Sequence, residues 1–266
     1  MAYSNPEAYE RFMGRWSAQL APLSVEFAGV TDGQHVLDVG CGTGSLTRAL
    51  LASGQATRVA GVDPVADYVS FARLSTPSPR AEFTVAPGRT LAFANGTFDA
   101  ALALLVLQDV LDPKRTAAEM ARVTCRGGPV AACQWDFRDG LPMLSLMWQA
   151  AEAVATEAVR RYRAERPISP CARAGPEELA EVWVDAGLSE VRTARLDLVM
   201  EFRCFDDFWL PFLGGPTSTT SFAATLNQQT GGALATKLRD IIPQFRPNGS
   251  FVLPARAWAV SGVAAH

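Results

Sequence analysis

Histidine, cysteine and excess basic charge are all scarce in this chain, and each scarcity closes off a kind of chemistry. Only two histidines occur in 266 residues, His35 and His266. His35 precedes the first apolar run and His266 is the final residue, so neither is a candidate general base. The five cysteines, Cys41, Cys125, Cys133, Cys171 and Cys204, are odd in number and never fall in a C-x-x-C spacing. That pattern argues against both a disulfide framework and a zinc site, so no metal is expected. With 24 Lys and Arg against 27 Asp and Glu, the net charge of −3 offers no basic surface for a phosphate backbone, and nucleic acid is not an expected partner. No apolar run approaches the roughly 20 residues that span a bilayer. The opening Met1–Glu7 also lacks a basic stretch leading into an apolar one, and the chain reads as cytoplasmic, with no membrane partner.

What is present is a balance of 48% apolar and 19% charged residues, which suits one large folded α/β domain spanning 1–266. Short apolar runs alternate with helical spacing. Strands are expected at Val36–Val39, Arg58–Asp63, Glu82–Val85, Phe98–Leu105, Pro129–Trp135, Val191–Phe202 and Ala257–Val263. Helices are expected at Ser45–Ala52, Val65–Leu74, Thr116–Val123 and Glu177–Ala186. Strand–helix alternation implies a doubly wound, mostly parallel seven-stranded sheet with helices on both faces. Residues 137–174 and 205–250 break the rhythm and read as helical insertions after strand ends, the edge where such sheets bind ligands. Together with N-terminal helices in residues 1–30, they are expected to form a lid.

The chemistry concentrates in Asp38-Val39-Gly40-Cys41-Gly42-Thr43-Gly44, between a strand and a helix. Glycines at alternate positions allow a tight turn and direct approach of backbone to ligand, because no Cβ intervenes. Asp63 ends the next strand, where a carboxylate accepts both hydroxyl protons of a ribose. The dinucleotide fingerprint needs a further glycine where Ser45 stands, which demotes NAD. A carboxylate at Asp38 would repel a pyrophosphate and attract a cationic group, so a cationic nucleoside fits better.

These residues resemble the class I S-adenosylmethionine-dependent methyltransferases, in their ubiquinone-biosynthesis-like branch. The resemblance rests on Val36–Gly44, on Gly61-Val62-Asp63-Pro64, on Phe98-Asp99 leading to Leu105–Val110, on Glu119–Val123 before Gly127-Gly128, and on the lead-in Tyr9–Ser17. It implies a Rossmann-like methyltransferase fold with S-adenosylmethionine as cofactor. Gly40, Gly42 and Gly44 would cradle the methionine and ribose portion, Asp63 with Pro64 would hold the ribose, and Leu104 and Gln108 would line the methyl-donor pocket. Asp38 joins this set, and Tyr9 and Arg15 either bind the cofactor carboxylate and close the site or are solvated and core residues of a surface helix. Where the family places an acidic residue for the adenine amino group, this chain has Ala86-Pro87-Gly88-Arg89. The resemblance therefore leaves adenine to the backbone at Gly88 and Arg89.

Catalytic residues are not singled out by the pattern. Tyr9, Asp109 and Asp136 are weak candidates for a base, and methyl transfer from a sulfonium can proceed by aligned in-line approach without one. Trp135, Phe137, Trp148, Phe205, Phe208, Trp209 and Phe212 crowd around the insertions and are candidates for lining an acceptor pocket as well as for core packing. The expected activity is methylation of a small, apolar or aromatic molecule by a monomer or homodimer. Two other readings compete: a same-fold enzyme using the cofactor without transferring its methyl, and a non-enzymatic cofactor-binding protein. Release of S-adenosylhomocysteine only with an acceptor separates the first, and calorimetry with the cofactor separates the second.

Overall fold

The computed structural model describes residues 5–165, 169, 171–215, 217–243 and 249–265. Strands β1 (Gln34–Val39), β2 (Ala56–Asp63), β3 (Ala81–Val85), β4 (Ala100–Leu104), β5 (Pro129–Trp135), β6 (Leu188–Phe202) and β7 (Phe251–Ala264) form one sheet in the order β3-β2-β1-β4-β5-β7-β6. The pairs β1–β2, β2–β3, β1–β4 and β4–β5 are parallel, and β5–β7 is antiparallel. Chain order runs outward from β1 through β2 and β3, then returns to β4 on the other side. The β1/β4 junction is thus the topological switch point, the place where a crevice opens at the carboxyl ends of doubly wound sheets.

Alternation along β1 shows why the helices cover both faces. Leu37 and Val39, both fully buried, point into the core shared with α5 (Pro113–Val123) and α7 (Pro176–Asp185). Asp38 points the other way, to α3 (Ser45–Ala52), where Thr47 meets it. The helix α2 (Arg15–Ala28) packs on α3, β4 and β5, and α4 (Ala66–Ser75) packs on β2 and β3. Trp183 of α7 is completely buried, with its indole N–H donating to the Val130 carbonyl at 2.8 Å, and so ties the helix to β5.

Strand limits depart from the sequence expectation most at β4, β6 and β7, with β6 starting at Leu188, three residues before the expected Val191. β4 begins at Ala100 rather than Phe98, because Phe98 makes an isolated bridge with Thr124. It ends at Leu104, because Leu105 turns into the left-handed region at φ 60°. β7 starts at Phe251, six residues before the expected Ala257.

The chain partitions into two compact units. An α/β unit comprises Gly14–Phe137, Ile168–Leu196 and Arg256–His266. A helical unit comprises Met1–Met13, Arg138–Pro167 and Asp197–Ala255. The stretch around Ser169–Ala174, grouped with an insertion in the sequence reading, belongs to the α/β unit. Ser169 Oγ donates to the carbonyls of Leu107 and Val110, and Gln134 Nε2 donates to those of Cys171 and Ala174.

The helical unit contains α1 (Pro6–Tyr9), α6 (Pro142–Ala164), α8 (Phe205–Leu213), α9 (Ser218–Gln229) and α10 (Ala233–Ile241). α6 is kinked at Ala155, and it packs on α9 and α10. A π-helical turn over Glu10–Gly14 joins α1 to α2. Ring contacts among Phe12, Phe202, Phe208, Phe212 and Phe251, with centroids 5.1–5.8 Å apart, hold the interior of this unit.

Candidate active site

The turn after β1 carries three glycines in the left-handed region, Gly40 at φ 70°, Gly42 at φ 51° and Gly44 at φ 89°. The Gly40 and Cys41 amides donate to the Val62 carbonyl at 2.7 and 3.0 Å, which laces the turn to β2. Gly40 is required by close packing as well as by φ, since a Cβ there would lie 2.4 Å from Val106 Cγ2. Gly42 differs. Its Cβ direction opens into free space, with Gly40 O as the nearest atom at 3.9 Å. The backbone surface at Gly42 is therefore bare.

Two carboxylates flank the turn. Asp63 Oδ2 accepts from the Gly42 amide at 3.0 Å and Oδ1 accepts from the Val65 amide at 2.8 Å, so the residue that ends β2 is clamped to the glycine turn. Burial raises its pKa, and the two amide hydrogen bonds oppose that rise. Asp38 is wholly buried; its Oδ2 accepts from Thr47 Oγ1 at 2.6 Å, while Oδ1 has no hydrogen-bond partner. Burial pushes the Asp38 carboxyl up to about 7, with the Asp63 charge adding to the rise and the Thr47 hydrogen bonds and Arg48 charge opposing it. A buried carboxylate with one bare oxygen calls for a cation, since an uncompensated charge away from water is costly.

The structure brings Asp38, Gly40, Gly42, Gly44 and Asp63 together at the carboxyl ends of β1 and β2. Pro64 follows Asp63 and is exposed. Leu104 ends β4 on the neighbouring side, and Gln108 accepts through Oε1 from the Trp135 amide at 3.3 Å, joining the ends of β4 and β5. Gly88 is backed by Val39, whose Cγ1 would be 2.8 Å from a Cβ there, and the Arg89 carbonyl accepts from Arg115 Nε at 3.4 Å. Arg15 opens α2 with its guanidinium 4.3 Å over the Trp16 ring. Tyr9 belongs to the helical unit.

Of the weak base candidates, Asp109 is exposed, and Asp136 is buried beside Arg256 at 3.4 Å. The thiol of Cys41, inside the turn, is driven upward by burial and is no nucleophile. His35 sits near the amino end of β1, at the opposite end of the strand from Gly40, with its ring against Phe98. His266 lies outside the described residues. Among the described residues no three His, Cys, Asp or Glu side chains cluster to hold a metal ion.

Among the aromatic candidates, Trp135 is buried at the end of β5, with its indole N–H lacking a hydrogen-bond partner, and Phe137 is half-buried. Phe208, Trp209 and Phe212 are each at most 4% exposed and pack on one another in the helical unit. Sequence reasoning missed Thr47, the partner of Asp38, although its place on the first turns of α3 was available as a signal. It also missed Leu105, whose left-handed φ no sequence pattern announces.

A glycine turn at the switch point of a doubly wound sheet is the architecture of enzymes that bind nucleotides and nucleosides. A family model described as a methyltransferase domain matches residues 37–132. A demethylmenaquinone methyltransferase of Renibacterium salmoninarum is 30% identical over 196 residues, covering 70% of this chain and 80% of its own. The chain belongs to the class I S-adenosylmethionine-dependent methyltransferases, in the branch that resembles the ubiquinone and menaquinone enzymes. Its cofactor is S-adenosylmethionine. Solved structures share the fold: a Haemonchus contortus phosphoethanolamine N-methyltransferase in complex with S-adenosylmethionine aligns with TM-score 0.60 at 17% identity, covering 98% of this chain and 57% of that one. The [4+2]-cyclase SpnF aligns with TM-score 0.56 at 19% identity, covering 100% and 88%. No helix among the described residues is long and apolar enough to cross a membrane.

Proposed function

We propose that this methyltransferase acts on a small, apolar, aromatic acceptor of the quinol type, with the cofactor held by the glycine turn and its two flanking carboxylates. The observation that carries the cofactor assignment is Asp38 Oδ1, a buried and unpartnered carboxylate oxygen beside a backbone surface bare at Gly42. The α-ammonium of an amino acid is the complement of such an oxygen, and Asp63 is the complement of a ribose diol. Bound S-adenosylmethionine supplies an electrophilic methyl on a sulfonium. Asp38 orients the amino-acid end, Gly42 offers its amide backbone without a side chain in the way, and Asp63 fixes the ribose. Leu104 and Gln108, at and beyond the end of β4, line the methyl-donor side of the same crevice, and Gly88 holds the adenine edge by its backbone.

No protein base is assigned. Alignment of the acceptor with the methyl in a site that excludes water supplies the barrier reduction through proximity. The quinol assignment rests on the named activity of the Renibacterium relative. The test is transfer of labelled methyl to a reduced demethylmenaquinone, with S-adenosylhomocysteine counted in parallel. Stoichiometric label and S-adenosylhomocysteine are expected. Labelling of polar acceptors such as phosphoethanolamine, with none of the quinol, would overturn the acceptor class. Turnover of an acceptor without S-adenosylhomocysteine would favour the non-methylating use of the fold.

A further inference from the structure

The glycine turn is gripped from behind. Arg48, on the second turn of α3, sends Nη1 to the Thr43 carbonyl at 2.7 Å and to Ser75 Oγ at 3.1 Å, and Nη2 to Ser45 Oγ at 3.3 Å. Ser75, the last residue of α4, shares its hydroxyl proton between the same Thr43 carbonyl at 3.2 Å and the Ala72 carbonyl at 3.3 Å. A Cβ on Gly44 would lie 3.1 Å from Thr76 Oγ1, 3.2 Å from Arg48 Nη1 and 3.5 Å from Ala72 Cβ, so this side of the turn is closed by α3 and α4. The Gly42 side, by contrast, is bare. One peptide, Thr43–Gly44, therefore has its carbonyl met by donors from two helices while the neighbouring Gly42 opens into free space.

We propose that Arg48 is a positioning residue that holds the Thr43–Gly44 peptide in the shape the cofactor requires, acting with Ser75 from the outer side of the turn. The inference rests on the assignment of the turn to the cofactor. The carbonyl of Thr43 can otherwise rotate, because Gly42 and Gly44 on either side have no Cβ to restrict them. A planar guanidinium with several fixed donors suits this role better than an ammonium, since it grips Thr43, Ser45 and Ser75 at once. The same side chain also acts electrostatically on Asp38. The charges bearing on Asp38 are Asp63, which disfavours its ionisation, and Arg48, which favours it; Thr47 hydrogen-bonds to it, and Cys41 stays neutral.

The test compares the wild-type chain with Arg48→Met, Arg48→Lys, Ser75→Ala, Asp63→Ala and Gly42→Val, titrated calorimetrically with S-adenosylhomocysteine from pH 6 to 9. Circular dichroism of each ligand-free protein checks that it is folded. Arg48→Met is expected to weaken binding about tenfold at pH 8, with Ser75→Ala a smaller loss and Arg48→Lys an intermediate one. Arg48→Met should also move the pH midpoint of binding upward, which Ser75→Ala should not do. A folded Arg48→Met with wild-type affinity and midpoint overturns the inference. Loss of the ligand-free fold in Arg48→Met, together with wild-type affinity in folded Arg48→Lys and Ser75→Ala, assigns the network to folding alone and also overturns it. Wild-type binding by both Gly42→Val and Asp63→Ala shows that the turn is not the cofactor site, a failure of the underlying assignment that is distinct from a failure at Arg48 alone.

Discussion

Asp38 has an electrostatic cost that a cation can remove. Its carboxyl is pushed up to about 7 by burial, so the folded chain holds a proton there that an unfolded chain, in the ordinary carboxylate range, has released. Where the native state binds more protons, stability falls as pH rises. The ligand-free protein therefore loses stability at Asp38 progressively between about pH 4 and pH 7. Binding of a cation selects the ionised form, so affinity for S-adenosylhomocysteine should rise roughly tenfold from pH 6 to pH 8, following the ionised fraction. Thermal-shift titrations at the two pH values check this, and Asp38→Asn should flatten the dependence. Asp63→Ala is expected to weaken binding by about 1.5–3 kcal/mol for each charge-assisted hydrogen bond removed. Part of that loss comes from freeing the Gly42 amide, which Asp63 now holds at 3.0 Å.

The helix α5 shows how an element reaches a site it does not enter. Arg115, Glu119 and Arg122 lie along one stripe of the helix and grasp the connector between β3 and β4. Glu119 accepts from the Leu91 amide at 2.9 Å and from Arg122 Nε at 2.8 Å, and Arg122 donates to the carbonyls of Leu91 and Phe93 at 2.9 Å. Arg115 takes the Arg89 carbonyl. This connector carries Gly88 and Arg89, the segment proposed to hold adenine. Glu119→Ala strands the Leu91 amide and takes the carboxylate from a half-buried guanidinium that keeps its carbonyl acceptors, and should cost about 1–3 kcal/mol in urea denaturation. The Glu119 carboxyl is held below its ordinary range, chiefly by its hydrogen bond to Arg122. A depressed folded-state pKa gives stability that is present above the unfolded value and lost as pH falls toward the folded one. Wild type should lose stability on acidification below about pH 4, and Glu119→Ala should lose less over the same interval.

For the molecule as a whole, aromatic residues divide into those that build the helical unit and those still available to an acceptor. Trp209 stacks on Phe212 with centroids 5.8 Å apart and is 4% exposed, so Trp209→Ala should destabilise the unit by about 3–5 kcal/mol before it reports on any substrate. Phe137, half-buried just after β5, is the cleaner probe. Phe137→Ala is expected to lower turnover of the true acceptor at least several-fold while leaving S-adenosylhomocysteine affinity within about twofold, and calorimetry beside steady-state rates measures both. Equal loss of both would remove Phe137 from the acceptor side.

The alternation of short apolar runs with helical spacing, and the Asp38–Gly44 turn with Asp63 beyond it, made the sheet, its mostly parallel pairing and the glycine turn of the proposed site legible in the linear sequence. Local physics suffices there: apolar periodicity sets the elements, and glycine is the residue that tolerates a left-handed turn. The reversal of β7 was not legible, because antiparallel pairing with β5 depends on where the chain re-enters the sheet and leaves no periodicity of its own. Nor were the Thr47 hydroxyl on Asp38, the Arg48 grip on Thr43, the left-handed Leu105 or the clasp of α5 on the β3–β4 connector. Each joins a side chain or backbone to a partner fixed by packing, and Ser75 stands 32 residues from the Thr43 carbonyl it holds. The ionisation of Asp38 was decided at the same level. Its carboxylate was visible in the sequence, but its pKa depends on the loss of water around it, which only the folded chain imposes.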